Sequence, residues 1–150
     1  MDTIRLKARA KINLGLDVVR RREDGYHEVK MVMQMLRLYD QIDIEKTQES
    51  GILVRSNLSF LPTDERNIAY KAAKVMIDQF GLEQGVIIRI EKHIPVAAGM
   101  AGGSTDAAAA LYGMNQMFDL GLNMEQLKER GVKIGADVPY CLMRGTALAE

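Results

Sequence analysis

The chain has 150 residues, of which 47% are hydrophobic, a composition typical of one globular domain with a sizeable core. Its 20 Lys and Arg residues balance 20 Asp and Glu residues, which argues against a general binder of nucleic acids or membrane surfaces, because such proteins carry a basic excess. The single cysteine, Cys141, excludes an internal disulfide and indicates a reducing compartment, the cytoplasm. No signal peptide is evident, and no stretch approaches the roughly 20 apolar residues of a membrane span.

The first third of the sequence predicts strands. From residue 4 to residue 18, apolar side chains fall on even positions and polar ones on odd positions, the period-two pattern of a strand, which we expect to be broken once because of its length. This alternation places Lys11 and Asn13 on the same polar face. A hairpin turn is predicted at Asp24 and Gly25, and further strands are expected around residues 29–35, 42–44 and 52–54.

The remainder predicts three helices and two strands, which makes the chain α+β rather than regularly alternating α/β. Asn67 is the expected N-cap of the first helix, and Asn123 with Gln126 has the spacing of a capping box for the third. In chain order, we expect a helix over 68–80, a strand over 85–90, a helix after Ser104 that stops at Gly121, a helix from 124 to about 131 and a strand over 141–149.

Residues 94–110 read IPVAAGMAGGSTDAAAA, which predicts a glycine-rich loop that opens into a helix. The first amides of such a helix have no intrahelical partner and lie at the positive end of its dipole, so they form a site for anions such as phosphate. The alternative is a tight loop whose glycines serve only close packing. The segment lacks a Gly-Lys-Ser/Thr ending and a G-x-G-x-x-G pattern, which excludes a Walker-type P-loop and the dinucleotide fingerprint.

Four stretches together resemble one known family: KINLGL from Lys11, DGYH from Asp24, PVAAGMAGGSTDAAA from Pro95 and GADVP from Gly135. The glycine-rich stretch resembles the phosphate loop of the superfamily of galactokinase, homoserine kinase, mevalonate kinase and phosphomevalonate kinase, the GHMP kinases. The full set resembles the branch that phosphorylates a cytidine-diphosphate-linked sugar alcohol in non-mevalonate isoprenoid (terpenoid) biosynthesis. Where that family usually has two serines, this chain has a serine and a threonine, so both hydroxyls are kept.

The resemblance implies a fold and an activity. The fold is a mixed sheet of the ribosomal-protein-S5-domain-2-like type with helices on one side and a left-handed βαβ crossover, an exception to the right-handed rule. The activity is an ATP-dependent, Mg²⁺-assisted phosphotransfer to an alcohol, the 2-hydroxyl of the cytidine-linked substrate. Residues 1–150 would be the N-terminal, ATP-binding domain, and we expect a C-terminal domain that this chain does not contain.

The resemblance also implies roles for individual residues. Asp137 would be the catalytic base and Lys11 its cationic partner, while Tyr26 and His27 would recognise cytosine and Asn13 would line the acceptor site. Without the resemblance, Asp137 is a turn or cap residue and Lys11 a surface lysine, while Tyr26 is an aromatic at the start of a strand and His27 a surface histidine.

A longer list would bind ATP: Pro95, Val96, Ala97, Ala98, Gly99, Met100, Ala101, Gly102, Gly103, Ser104 and Thr105 at the phosphates. Asn67 and Lys92 would lie near the adenine, although an N-cap and a surface lysine are their structural alternatives. Ser104 is a candidate ligand of Mg²⁺, and no other metal ligand is assigned.

Two other functions stay open. A sibling GHMP kinase would act on another small alcohol, such as homoserine or mevalonate, but the DGYH and GADVP stretches argue against it. A non-catalytic S5-like binding module would associate with RNA, against which the zero net charge and the glycine-rich loop argue. We expect a small-molecule partner, no nucleic acid and no membrane, and the sequence does not indicate an oligomeric state.

Overall fold

A computed structural model describes the backbone of residues 1–21, 27–95 and 102–148, and the side chains of residues 1–11, 37–95 and 102–146. In these ranges the sheet is mixed, with strand order β3-β4-β2-β1-β5; β3 and β4 run parallel and the other neighbours antiparallel. The elements are β1 (Thr3–Arg21), β2 (His27–Thr47), β3 (Ile52–Ser56), α1 (Ile68–Phe80), β4 (Gly85–Glu91), α2 (Gly102–Met117), α3 (Met124–Ile134), α4 (Val138–Arg144) and β5 (Thr146–Leu148).

One face of the sheet carries the core and the other is polar. Leu6 and Ala8 of β1 and Ile42 and Ile44 of β2, all at even positions, are fully buried under the helices. The opposite face carries exposed ion pairs such as Arg5 to Asp43 at 2.8 Å. The predicted α+β mixed sheet with helices on one side is therefore confirmed. Its parallel βαβ unit is β3–α1–β4, and the left-handed crossover stays a prediction.

Two details of the strand prediction are wrong. The first strand is not broken, because β1 absorbs its length through register shifts against β2 rather than through a gap. The strands expected over 29–35 and 42–44 are a single strand, β2.

One register shift between β1 and β2 lies between Arg9 and Lys11, and beside it both Ala10 and Lys11 are buried. The alternation fails at this point, so Lys11 does not lie on the exposed face.

Helix α2 is the centre of the domain. It begins at Gly102, two residues before Ser104, and ends at Met117, before Gly121. Its alanines are buried on nearly every side, because α2 lies between the sheet and other helices. At Gly113 an added Cβ would lie 2.7 Å from Ile44 Cδ1, so this glycine allows the helix to approach the sheet closely.

The predicted caps are confirmed, but the end of the chain differs from the prediction. Asn67 caps α1, and Asn123 forms the capping box of α3, which runs to Ile134 instead of ending near residue 131. Of the strand expected over 141–149, only residues 146–148 form one, β5. Residues 138–144 form α4, because Pro139 is favourable in a first helical turn and Val138, Cys141 and Leu142 are buried at helical spacing. Within the described ranges, no helix has the length and apolarity to cross a membrane.

Candidate active site

The start of α2 has the properties of an anion site. Gly103 is exposed, and Gly102 and Ser104 are partly exposed, so the first amides of this 16-residue helix lie near solvent. A Cβ on Gly102 would be 3.0 Å from Lys92 Nζ and 3.3 Å from Ile94 Cγ2, so the helix start rests directly on these two residues. The predicted phosphate-loop residues Val96, Ala97, Ala98, Gly99, Met100 and Ala101 lie outside the described residues.

Lys11 and Asp137 come together from opposite ends of the sequence. Lys11 Nζ lies 2.8 Å from Asp137 Oδ1, with the lysine side chain 5% exposed and the aspartate side chain 48% exposed. The ring of Tyr140 lies 5.6 Å from the same ammonium. The alternative of a surface lysine is wrong for Lys11, which is buried. Asp137 does lie in the turn before α4, at its N-cap position, but its side chain makes no capping hydrogen bond.

This ion pair lies beside the start of α2. A Cβ on Gly135, two residues before Asp137, would be 3.7 Å from Ser104 Oγ. Cys141 is buried between the two features: burial raises the pKa of its thiol to about 11, although the nearby Lys11 charge acts in the opposite direction. The buried hydroxyl of Thr105 has no hydrogen-bond partner among the described residues. A half-exposed carboxylate and a set of free amides therefore border the same region.

A second ion cluster, which the sequence did not predict, lies beneath α2. Lys92 Nζ donates to Asp40 Oδ2 at 2.5 Å and to Asp106 Oδ2 at 3.0 Å, and all three residues are buried. Burial, followed by the neighbouring Asp40, raises the pKa of Asp106 well above its usual range. Burial lowers the pKa of Lys92, but the two carboxylates outweigh it and the net shift is upward. The sequence contained one sign of this cluster. Asp40 lies on the same face of the strand as the core residues Ile42 and Ile44, and a carboxylate buried at such a position needs a partner.

The remaining predicted site residues are only partly described. The side-chain amide of Asn67 accepts from Ala69 N at 2.9 Å and donates to Pro62 O at 3.0 Å, so it serves as a cap. Lys92 is buried, so its alternative as a surface lysine is wrong. The roles of both near an adenine stay predictions. Pro95 is exposed, Tyr26 lies outside the described residues, and the side chains of Asn13 and His27 are also outside them. Among the described side chains, no group of acidic, His or Cys residues is arranged to hold a metal ion.

Comparison with known proteins gives a family match and close relatives. A family model described as GHMP kinases N terminal domain matches residues 67–145, more than half of the chain. A 4-diphosphocytidyl-2-C-methyl-D-erythritol kinase of Lachnospira eligens is 59% identical over 150 residues, which are 100% of this chain and 52% of that protein. The kinase of the same name from Lachnoclostridium phytofermentans is 57% identical over 150 residues, with the same 100% and 52% coverage. The chain thus spans about half the length of the curated relatives it matches.

Solved structures agree with this match. The crystal structure of a 4-(cytidine 5'-diphospho)-2C-methyl-D-erythritol kinase superposes with a TM-score of 0.74 at 36% identity, covering 97% of this chain and 51% of that one. A homoserine kinase from Cytophaga hutchinsonii has a TM-score of 0.75 at 20% identity, covering 99% of this chain and 48% of its own. The second likeness shows the fold alone.

Proposed function

The chain belongs to the GHMP kinase family, and from that premise we propose that it is the N-terminal, ATP-binding half of a 4-diphosphocytidyl-2-C-methyl-D-erythritol kinase. The reaction transfers the γ-phosphoryl group of ATP to the 2-hydroxyl of the cytidine-linked sugar alcohol, in the non-mevalonate route to isoprenoids and in the cytoplasm. The observation that carries the proposal is the Lys11–Asp137 ion pair beside the free amides of α2. The identity to kinases of this name over the whole chain supports the choice of substrate.

In this proposal, the glycine-rich segment and the start of α2 bind the phosphates of ATP. Phosphoryl transfer asks a protein mainly to position the reacting groups and to stabilise charge. Amides at a helix start do both without a lysine, because they point outward at the positive end of the helix dipole. The exposed Gly103 lets the phosphates approach these amides closely, and the Ser104 hydroxyl adds a further donor.

Asp137 is the base in this proposal. The acceptor hydroxyl loses its proton as its oxygen attacks the γ-phosphorus, and a carboxylate bound to that hydroxyl orients it and receives the proton. Lys11 contacts Oδ1 from the buried side, which fixes the carboxylate and leaves its exposed side for the acceptor. The ammonium also adds positive charge near the transferring group.

Mg²⁺ fits this site as an ion that arrives with the nucleotide. Mg²⁺ commonly binds phosphate oxygens, water and only one or two protein oxygens, and the Ser104 hydroxyl at the start of α2 would supply one of them. Held there, the ion would supply positive charge against the phosphates. Asn67 and Lys92 would lie on the adenine side of the nucleotide.

Substrate recognition would come from Tyr26, His27 and Asn13. A tyrosine ring can stack on cytosine, a contribution of roughly 1–3 kcal/mol per base in other proteins, and an imidazole can bond to the base edge. The missing half of the length of the relatives would complete the cleft as a C-terminal domain. A sibling kinase of another small alcohol is the second candidate, supported only by the shared fold.

The test uses what we call the extended protein, this chain continued to the length of its curated relatives. Asp137→Asn keeps the shape of the side chain and removes the base, so we expect kcat to fall on the order of 10²–10⁴-fold with little change in ATP affinity. Asp43→Asn, at a partly exposed aspartate on the polar face of β2, is the matched control. Near-normal kcat in Asp137→Asn would refute the role of the base, and phosphorylation of homoserine in place of the cytidine-linked alcohol would favour the sibling reading.

A further inference from the structure

Asp40 connects the two ends of the glycine-rich segment. It lies in β2 opposite Ala8 of β1, and the next residue, Gln41, pairs with Glu91, the last residue of β4. Asp40 is therefore at the point where the chain leaves β4 toward the loop. Its side chain is fully buried on the helix side of the sheet.

The entry to the segment is held by this carboxylate. Asp40 Oδ1 accepts from His93 N at 2.7 Å and from Ile94 N at 2.9 Å, so one oxygen satisfies two successive backbone amides. Asn57 holds the preceding residue, because its side chain accepts from Lys92 N at 2.8 Å and donates to Lys92 O at 3.2 Å. The stretch that follows β4 therefore has a specified path without ladder hydrogen bonds.

The exit from the segment is held by the same carboxylate through Lys92. The second oxygen of Asp40 accepts from Lys92 Nζ, which also contacts Asp106 in α2. The same ammonium lies 3.0 Å from where a Cβ on Gly102 would be, so it supports the first turn of the helix. Because the entry and the exit are fixed to one cluster, the amides at the start of α2 keep one position relative to His93 and Ile94.

We propose that Asp40 is a positioning residue of the ATP site, which holds the entry of the glycine-rich segment and the start of α2 in the arrangement that binds the phosphates. This inference rests on the proposed kinase function and adds a residue to it. Asp40 is fully buried, so its side chain offers no exposed surface to a nucleotide. It acts by ordering the phosphate-binding amides before ATP arrives, which lowers the cost of binding.

The negative charge of Asp40 is essential to this role. Asn at position 40 still offers one oxygen to the two amides, but its NH₂ group would face the Lys92 ammonium, which also only donates. Of the two acidic partners of Lys92, only Asp106 would remain. A buried ammonium that loses a partner is costly, so Lys92 would move and release the helix start. Loss of a charge-assisted hydrogen bond typically weakens the linked equilibrium roughly 10- to 100-fold.

The experiment measures KM for ATP, KM for the cytidine-linked alcohol, kcat and thermal stability in the extended protein. For Asp40→Asn we expect KM for ATP to rise roughly 10- to 100-fold while KM for the alcohol changes by less than about 3-fold. Asp43→Asn is the matched control, with the same substitution on the same strand but on the exposed face. A general loss of structure would not separate the two substrates in this way, so equal effects on both KM values would overturn the proposal.

The double variant Asp40→Asn/Lys92→Met guards against failure of the single variant to fold. Met has a similar length and carries no charge, so no unpaired ammonium remains in the core. We expect this protein to fold and still to show the raised KM for ATP, because the link between the loop entry and α2 is lost. A wild-type KM for ATP in the double variant would overturn the role of Asp40 and leave the kinase function intact. A wild-type extended protein that binds no ATP in a fluorescent-nucleotide titration would overturn both.

Discussion

Gly102 and Gly103 are adjacent, but the structure predicts opposite effects when each is replaced by Ala. A Cβ on Gly102 would lie 3.0 Å from Lys92 Nζ and 3.3 Å from Ile94 Cγ2, whereas the nearest atoms to a Cβ on Gly103 are those of Ile68 at 3.6 Å and 3.7 Å. The first position is too tight for a methyl group, because Lys92 is held by Asp40 and Asp106 and cannot withdraw freely. The second position has room.

These distances give approximate magnitudes. Overpacking a core site costs about 1–3 kcal/mol, and for a chain of this size each kcal/mol lowers Tm by roughly 2–4 °C, so we expect Gly102→Ala to melt about 2–12 °C lower. Gly103→Ala adds a good helix former at an exposed position, which contributes between zero and about 1 kcal/mol, so its Tm should not fall. Its methyl group faces the proposed phosphate site, and ATP affinity should therefore fall at least about 10-fold.

The assay combines thermal unfolding followed by circular dichroism with titration of a fluorescent ATP analogue at a temperature where both variants are folded. The two variants control for each other, since each adds one methyl group to the same helical turn. An unchanged nucleotide affinity in folded Gly103→Ala would refute the assignment of phosphate binding to the start of α2. A lower Tm for Gly103→Ala than for Gly102→Ala would refute the packing argument.

Three further predictions concern caps, a thiol and catalysis. Asn123→Ala should destabilise the protein by about 1 kcal/mol through loss of the α3 capping box, seen as a lower Tm with unchanged ATP affinity; an unchanged Tm would contradict this. Cys141 is buried and burial raises its pKa to about 11, so at neutral pH it should react with a thiol reagent far more slowly in the native protein than in denaturant, and equal rates would contradict this. Residues 1–150 without an added second half should turn over far more slowly than the extended protein in a coupled kinase assay, because an open cleft does not exclude water, and comparable rates would contradict the two-domain proposal.

Much of the fold could be predicted because local patterns agree with the tertiary structure. Period-two alternation located β1, and the caps at Asn67 and Asn123 fixed the starts of α1 and α3. The failures occur where tertiary contacts decide the local structure. Apolar residues from 141 onward fit a strand as well as a helix, and burial against α3 selects the helix. Pro139 in the first turn was a sequence signal for the helix, but the spacing of the apolar residues alone did not distinguish the two outcomes.

The candidate site, like the fold, was predicted in part. The resemblance to GHMP kinases identified Lys11 and Asp137, and their contact at 2.8 Å agrees with the pairing it implied, although their catalytic roles stay predictions. Periodicity placed Lys11 on the exposed face, and it could not foresee the register shift beside Arg9 that buries the lysine. Asp40 was missed because a single carboxylate in a strand gives no sign of its partner, which lies 52 residues away in the sequence.

Asp106 provides a test of how the buried cluster is charged. Burial and the neighbouring Asp40 raise the pKa of Asp106 well above its usual range, so the folded chain binds a proton there that the unfolded chain releases above its own pKa of about 4. This extra proton means that the free energy of unfolding falls as the pH rises from that value toward the folded pKa. Asp106→Asn cannot titrate and still accepts a hydrogen bond from Lys92. The free energy of unfolding of this variant therefore does not fall with pH for this reason. We therefore expect the Tm of the wild type to fall relative to that of Asp106→Asn as the pH is raised from about 5 to about 9. Asp43→Asn controls for the removal of one carboxylate from the chain. If the Tm difference between the wild type and Asp106→Asn stayed constant or reversed over this range, Asp106 would not hold the proton, and the two carboxylates would share the Lys92 ammonium in their charged forms.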